Sequence, residues 1–236
     1  MSASTEIQTT KPKLNRNGAR LFVGILFFVA AQAAVLFAAA GTFRWPAAWA
    51  YFGLYTVTFS LGLVWVASVN PAVINERGRR SENTEDFDRR FHRVMPLLIF
   101  GGLVVGGLDH RFGWSAMPVA LQFVGLALLV PALLLAVWVL ATNAYASRVV
   151  RLQEGHEVIT GGPYRYVRHP MYSGTLLAWI AAALALGSWW MLVPAALGIA
   201  LFVWRTTQED ATLMEKLPGY REFAQRTRYR LIPGIW

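Results

Sequence analysis

The segment Gly161–Gly174, GGPYRYVRHPMYSG, gathers the side chains of this sequence best suited to chemistry. His169 can donate, accept or carry a proton near neutral pH. Tyr164 and Tyr172 add hydroxyl groups, and Arg165 and Arg168 add guanidinium donors. A second cluster, Arg205, Glu209 and Asp210, follows the next two apolar runs. On a helix Arg205 and Glu209 are four residues apart and share a face. Such a pair can orient an anionic substrate or hold a cationic cofactor, although the same arrangement also ends membrane spans as a solvated ion pair or a snorkelling arginine. Arg165 and Arg168 serve equally well as topology signals or contacts to lipid phosphate.

Other chemistries drop out. The chain has no cysteine, so thiol nucleophiles, disulfides and Cys-based metal sites are excluded. His92, His110, His156 and His169 lack metal-ligand spacing, and no metal site is expected. No glycine-rich strand–turn–helix segment is present, which argues against a soluble nucleotide-binding fold.

The elements that must position these groups are membrane helices. Of the 236 residues, 56% are hydrophobic and 15% charged, where a soluble domain carries about 25% charged. The apolar residues are bunched into runs of roughly the 20 residues a bilayer crossing needs. The runs are 21–41, 49–69, 94–108 (short and glycine-rich), 118–142 (with Pro131 inside), 170–186 and 190–204. The last two are joined by Gly187-Ser188-Trp189 as a helical hairpin, and Pro170 suits the first turn of its opening helix. The expected fold is therefore all-α, a polytopic bundle of about six spans with a C-terminal tail. Its parts are a disordered tail over 1–20, four transmembrane helices over 21–142 with a solvated charged loop at 70–93, and a core over 143–236. The polar stretch at the N-terminus lacks the apolar centre of a cleaved signal peptide.

Net charge is +9, which a membrane explains more plainly than nucleic acid does. In the six-span arrangement all but two of the 22 Lys and Arg residues, Arg44 and Arg111, fall on one side. That side is the cytoplasm by the positive-inside rule. Both termini, the Gly161–Gly174 segment and the tail are expected there, beside anionic membrane lipids. No ionisable residue lies deep in a span, which argues against an ion or proton pathway.

GGPYRYVRHPMYSG, the Arg205-x-x-x-Glu209-Asp210-x-x-Leu213 segment and the tail sequence YRLIP together resemble the isoprenylcysteine carboxyl methyltransferase and phospholipid methyltransferase superfamily of integral-membrane enzymes. The resemblance covers roughly residues 148–236. It implies S-adenosylmethionine as cofactor, bound by the cytoplasmic ends of the last helices and the tail. By position it implies cofactor contacts from His156, Glu157, Val158 and Ile159, largely through backbone, and from Gln153, Tyr164, His169, Pro170, Met171, Tyr172 and Glu209. Arg205 corresponds to a position facing the methyl acceptor, and Asp210 replaces a more usual second Glu. Arg205, Glu209 and His169 are the implied catalytic groups, and the acceptor is a lipid or other lipophilic molecule. An amine acceptor would need a base, for which Glu209, Asp210 or His169 qualifies; a carboxylate acceptor would need only an arginine to hold it. Sterol and steroid reductases carry a similar His-Pro-x-Tyr-x-Gly segment, but Met171 and Thr175 stand where those enzymes usually have Asn and Glu.

Overall fold

In hydrocarbon a backbone must satisfy its own hydrogen bonds, so long apolar runs fold as helices. The structure, a computed structural model, describes residues 13–79 and 85–236, and among these it is all-helical. The elements are α1 (Arg16–Ala40), α2 (Pro46–Val69), α3 (Pro71–Gly78), α4 (Asp86–Phe112), α5 (Val119–Thr142), a 3-10 turn (Gly162–Arg165), α6 (Pro170–Ala185), α7 (Leu192–Lys216) and α8 (Tyr220–Arg226). Four helices, α1, α2, α4 and α5, are long and apolar enough to cross a membrane. The short run at 94–108 reaches that length because α4 extends at both ends to 27 residues. The expected fifth and sixth spans form the hairpin, but α6 has 16 residues, about 24 Å, against a hydrocarbon core of roughly 30 Å. α7 has 25 residues, yet its apolar part ends at Trp204 and the helix continues as an amphipathic rod.

Two expectations differ from the structure. Residues 1–12 of the expected tail lie outside the described residues, but Arg16–Arg20 is already helix. The Asn15 side chain caps it by accepting from the amides of Asn17 and Gly18. The stretch at 70–93 is not a simple solvated loop; its residues 80–84 lie outside the described residues. Pro71 starts α3, whose Val73 and Ile74 are fully buried, and Gly78 lets α1 come so close that a Cβ there would meet the Asn17 carbonyl. Asp86 and Asp88 then open α4, where carboxylates complement the helix dipole. Asp88 is completely buried.

Close helix packing fixes the bundle. α5 runs along α6, α1 along α4, and α4 along α7. At Gly125 a Cβ would stand 2.3 Å from the Ala185 amide and 2.7 Å from the Ala181 carbonyl, so only glycine allows α5 to reach α6. At the end of the bundle away from the polar segments, buried Asp109 accepts hydrogen bonds from the Ser115 amide (2.7 Å), the Ser115 hydroxyl (2.6 Å) and the Ser188 hydroxyl, tying α4 to the hairpin turn. That end holds Arg44 and Arg111; the other described Lys and Arg residues gather at the opposite end.

Gly125→Ala is expected to destabilise the bundle by about 1–3 kcal/mol, because a backbone rather than a side chain must yield. Gly101→Ala, where a Cβ meets nothing within 4 Å, should be neutral or stabilising. Thermal unfolding of the two variants in one detergent checks the contrast.

Candidate functional site

The ends of α5 and α7 and the starts of α4 and α6 meet at the basic end of the bundle, with α3 and α8 across them. They enclose a cavity of about 250 Å³. The polar segment enters it through a tight turn. Gly162 has φ +58°, and a Cβ there would meet the Thr142 side chain at 2.8 Å, so the 3-10 turn packs directly on the end of α5. Pro170 occupies the first turn of α6 and His169 precedes it as the cap residue.

The His169 side chain is held by the last part of the chain. The backbone amides of Arg168 and His169 donate to the carbonyls of Tyr229 (2.9 Å) and Arg230 (2.9 Å), so the tail lies along the start of α6. Behind this contact sits Asp210, 1% exposed. Its Oδ1 accepts from Arg168 Nε (2.8 Å), Tyr220 Oη (2.9 Å) and His169 Nε2 (3.2 Å); its Oδ2 accepts from Arg168 Nη2 (2.8 Å) and Arg230 Nε (2.9 Å). Burial alone would raise this carboxyl, but hydrogen bonds from His169, Arg168 and Arg230 hold it well below the usual carboxylate range. Burial and the neighbouring Asp210 push the Tyr220 phenol up, so it remains a donor.

With Nε2 committed to Asp210, His169 presents Nδ1 on the side of Glu209, 3.9 Å from Oε1. Glu209 accepts the Tyr172 hydroxyl, and the rings of His169 and Tyr172 lie parallel at 5.7 Å. Arg205 sits over the face of Tyr172 at 5.0 Å and of Phe91 at 4.4 Å. Its Nε reaches Asp88 Oδ1 at 2.8 Å and its Nη2 reaches the same oxygen at 2.7 Å. Arg205 and Glu209 thus lie on one face of α7, as their spacing predicts, and both line the cavity.

A second wall comes from the extended stretch after α5. His156, Glu157, Val158 and Ile159 line the cavity, and among the described residues the amides of Glu157, Val158 and Ile159 have no hydrogen-bond partner. His156 stacks on Tyr145 (ring centroids 4.5 Å apart), and its Nδ1 is buried without a partner. Burial lowers its imidazole below the ordinary value near 6.5, leaving it neutral at pH 7. Tyr164 receives a hydrogen bond from Asn143 Nδ2 (2.7 Å), and burial pushes its phenol up to about 12. Pro170 and Met171 complete the wall at the start of α6.

Of the residues expected at the site, Gln153 and Asp210 do not line the cavity: Gln153 Nε2 donates to the Tyr145 carbonyl at 2.9 Å and shapes the loop, and Asp210, a candidate base by sequence, is turned away into its donor cluster. Arg168, for which the sequence left a topology signal, a lipid-phosphate contact and a site role equally open, is 6% exposed, paired with Asp210 and part of the cavity lining. Sequence reasoning missed Arg77 and Tyr145 in the cavity wall, and Asp88 behind it. Arg77 and Asp88 belong to a charge run whose partners are distant in sequence, so nothing local marks them. No sequence signal marks Tyr145, the one aromatic residue between Trp138 and His156.

Residues 120–220 match the family model described as phospholipid methyltransferase, a family of the integral-membrane methyltransferase superfamily. The match spans α5, the polar segment, the hairpin and α7, and bears out the resemblance read from the motifs. With four helices of spanning length, it supports an integral-membrane methyltransferase acting on lipid-type substrates. No curated protein matches the chain.

The Asp210 cluster yields a stability prediction. Asp210→Ala strands the buried Arg168 guanidinium, and breaking such a pair costs about 3–5 kcal/mol. Because the folded-state pKa is depressed, the contribution of this group is full above the ordinary carboxylate value near 3.9 and is lost as pH falls through that value toward the lower one. Unfolding followed at successively lower pH should show wild type losing stability below about pH 4 faster than Asp210→Asn, which lacks this titration.

Proposed function

We propose that the chain is an S-adenosylmethionine-dependent methyltransferase of the membrane, transferring a methyl group to a lipophilic acceptor at the cytoplasmic face. The observation that carries this reading is the cavity formed by the Gly161–Gly174 segment and the second half of α7, with Glu209 on one side and unpaired backbone amides on the other. The residues fit the cofactor. A sulfonium cation suits the Glu209 carboxylate. A flat heteroaromatic base with polar edges suits the Tyr145–His156 stack, the orphaned His156 Nδ1 and the free amides of 157–159. Apolar cover comes from Val158, Ile159, Leu213 and Leu217. The gathering of all described Lys and Arg residues but Arg44 and Arg111 at the site end supports a cytoplasmic orientation for that end and both termini.

The bound cofactor would supply a methyl group activated by positive sulfur. That methyl would pass to the acceptor's lone pair, and the sulfur would depart as a neutral thioether. What the chain contributes is alignment and exclusion of water. Glu209 holds the cation, and Tyr172 holds Glu209 in place through its hydroxyl. Asp210 fixes the His169 ring so that Nδ1, not Nε2, faces the site.

Two acceptor types remain in view, each with a favouring observation. Isoprenylcysteine-type O-methylation of a carboxylate requires no base, and the arginines around the cavity favour it. Phospholipid N-methylation, favoured by the family match, must dispose of an amine proton. His169 Nδ1, backed by the Asp210 carboxylate, is the group arranged to take it. The match at 120–220 weighs for methyl transfer over the hydride chemistry of the membrane reductases.

Protein purified in detergent should bind S-adenosylhomocysteine by calorimetry, with Glu209→Gln weakening S-adenosylmethionine by about tenfold or more. No binding at millimolar ligand would remove the proposal. Incubation with labelled methyl donor and total membrane lipid should label a lipid-soluble product, and Glu209→Gln should abolish that labelling.

A further inference from the structure

Arginines crowd the cavity, but their charges are not equally available. Arg205 is matched by the fully buried Asp88, Arg168 by Asp210, and Arg151 by Glu76. Two lining arginines have no carboxylate partner among the described residues: Arg148, which is exposed, and Arg77, from α3, which is half-buried. Arg77 is the one that the fold holds in place. It is anchored instead by neutral groups: Nη1 donates to the carbonyls of Ala146 (3.0 Å) and Ser147 (3.3 Å) and touches Met171 Sδ at 3.8 Å. Its Nε and Nη2 carry no hydrogen bond among the described residues, and the side chain lines the cavity. Burial, with Arg148 and Arg205 close by, lowers this guanidinium to about 10, and it stays a cation at neutral pH.

The cavity is therefore polarised. Glu209 stands with His169 and the hydroxyl of Tyr172; Arg205 lies over the ring of the same tyrosine, with Arg77 and Arg148 around it. A cation belongs at the first end and an anion at the second. Arg205, already neutralised by Asp88, cannot meet that anion with net charge. Arg77 can, and its planar fork with two open donors matches an oxyanion. It also lies outside the region matched to the family, on the short helix that leaves the membrane directly after α2, where an acceptor arriving from the bilayer would meet it.

We propose that Arg77 is the residue that grips an oxyanion of the methyl acceptor, and so makes the site selective for acidic lipophiles. This rests on the methyltransferase reading above. The oxyanion is either the carboxylate that receives the methyl group or a phosphate beside a receiving amine. Either needs one positive fork at the basic end of the cavity while the sulfonium occupies the acidic end.

The test uses full-length protein in a non-ionic detergent, saturated with S-adenosylhomocysteine, and three probes of one chain length: decanoate, decyl phosphate and decanol. Wild type should bind decanoate or decyl phosphate at least tenfold more tightly than decanol, and the tighter of the two names the oxyanion. Arg77→Gln should lose that preference while its affinity for S-adenosylhomocysteine stays within twofold of wild type. Arg77→Lys, which keeps the charge without the fork, should retain part of the preference and serves if the glutamine variant fails to fold. The proposal is overturned if wild type shows no preference for the anions, or if the preference survives in a folded Arg77 variant. It is equally overturned if Arg77→Gln weakens S-adenosylhomocysteine tenfold, since the anion would then be the cofactor's own carboxylate. Absence of S-adenosylhomocysteine binding in wild type would instead remove the methyltransferase reading, a separate outcome read in the first titration.

Discussion

The site depends on one buried carboxylate. Asp210 collects donors from Arg168, His169, Tyr220 and Arg230, which belong to the loop before α6, to α8 and to the tail. Each partner alone would be a poor candidate for burial. Two guanidinium groups at a membrane boundary would repel one another and seek water, and a lone carboxylate would protonate rather than stay charged. Together they fix four segments at one point, beside the small apolar clusters of Leu217, Tyr220 and Phe223 and of Leu231 and Leu176. The consequence for chemistry is orientation: Glu209, the next residue of α7, is turned toward the cavity because Asp210 is turned away from it, and His169 is left with Nδ1 on the cavity side.

The same logic operates on the opposite wall with Asp88 and Arg205. Here the pair crosses from the start of α4 to the middle of α7, and the Val150 amide adds a third contact at 3.0 Å. Arg205 is thereby locked between Phe91 and Tyr172 instead of snorkelling to solvent. An arginine held in this way keeps its donors and loses its net charge. That separates two roles the sequence reading assigned to one residue, geometric definition of the acceptor end and electrostatic attraction of an anion.

What could be read from the sequence divides along physical lines. The long helices were legible because span length and hydropathy are local properties, and the α6–α7 hairpin was legible from Gly187-Ser188 and Pro170. Arg205 and Glu209 were legible as a helical pair because four-residue spacing is all that is required. The stretch at 70–93 was not. Its alternating charges have the composition of a solvated loop, and it is the long-range partners of Asp88, Glu76 and Arg77, beyond residue 145, that turn them inward. Arg168 stayed undecided for the same reason, since an arginine near a membrane is ordinarily a topology signal until a buried acid is found for it. The continuation of α7 past Trp204 was hidden by its change from apolar to amphipathic, which marks the exit of a helix from the bilayer and not its end.

On the reading proposed above, acceptor choice and cofactor binding fall on different parts of the chain. The groups suited to a sulfonium and a flat base come from Tyr145, the 156–172 region and α7, inside the segment matched to the family. The groups that set the charge at the other end, Arg77 and Asp88, come from α3 and the start of α4, outside it. A change in α3 can thus alter which anion is held while leaving His169, Tyr172 and Glu209 undisturbed, because α3 is fastened to the loop by the Arg151–Glu76 pair and to α1 at Gly78 rather than to the Asp210 cluster. On the same reading, separate anchoring of the two halves would let one cofactor cradle serve acceptors of different acidity.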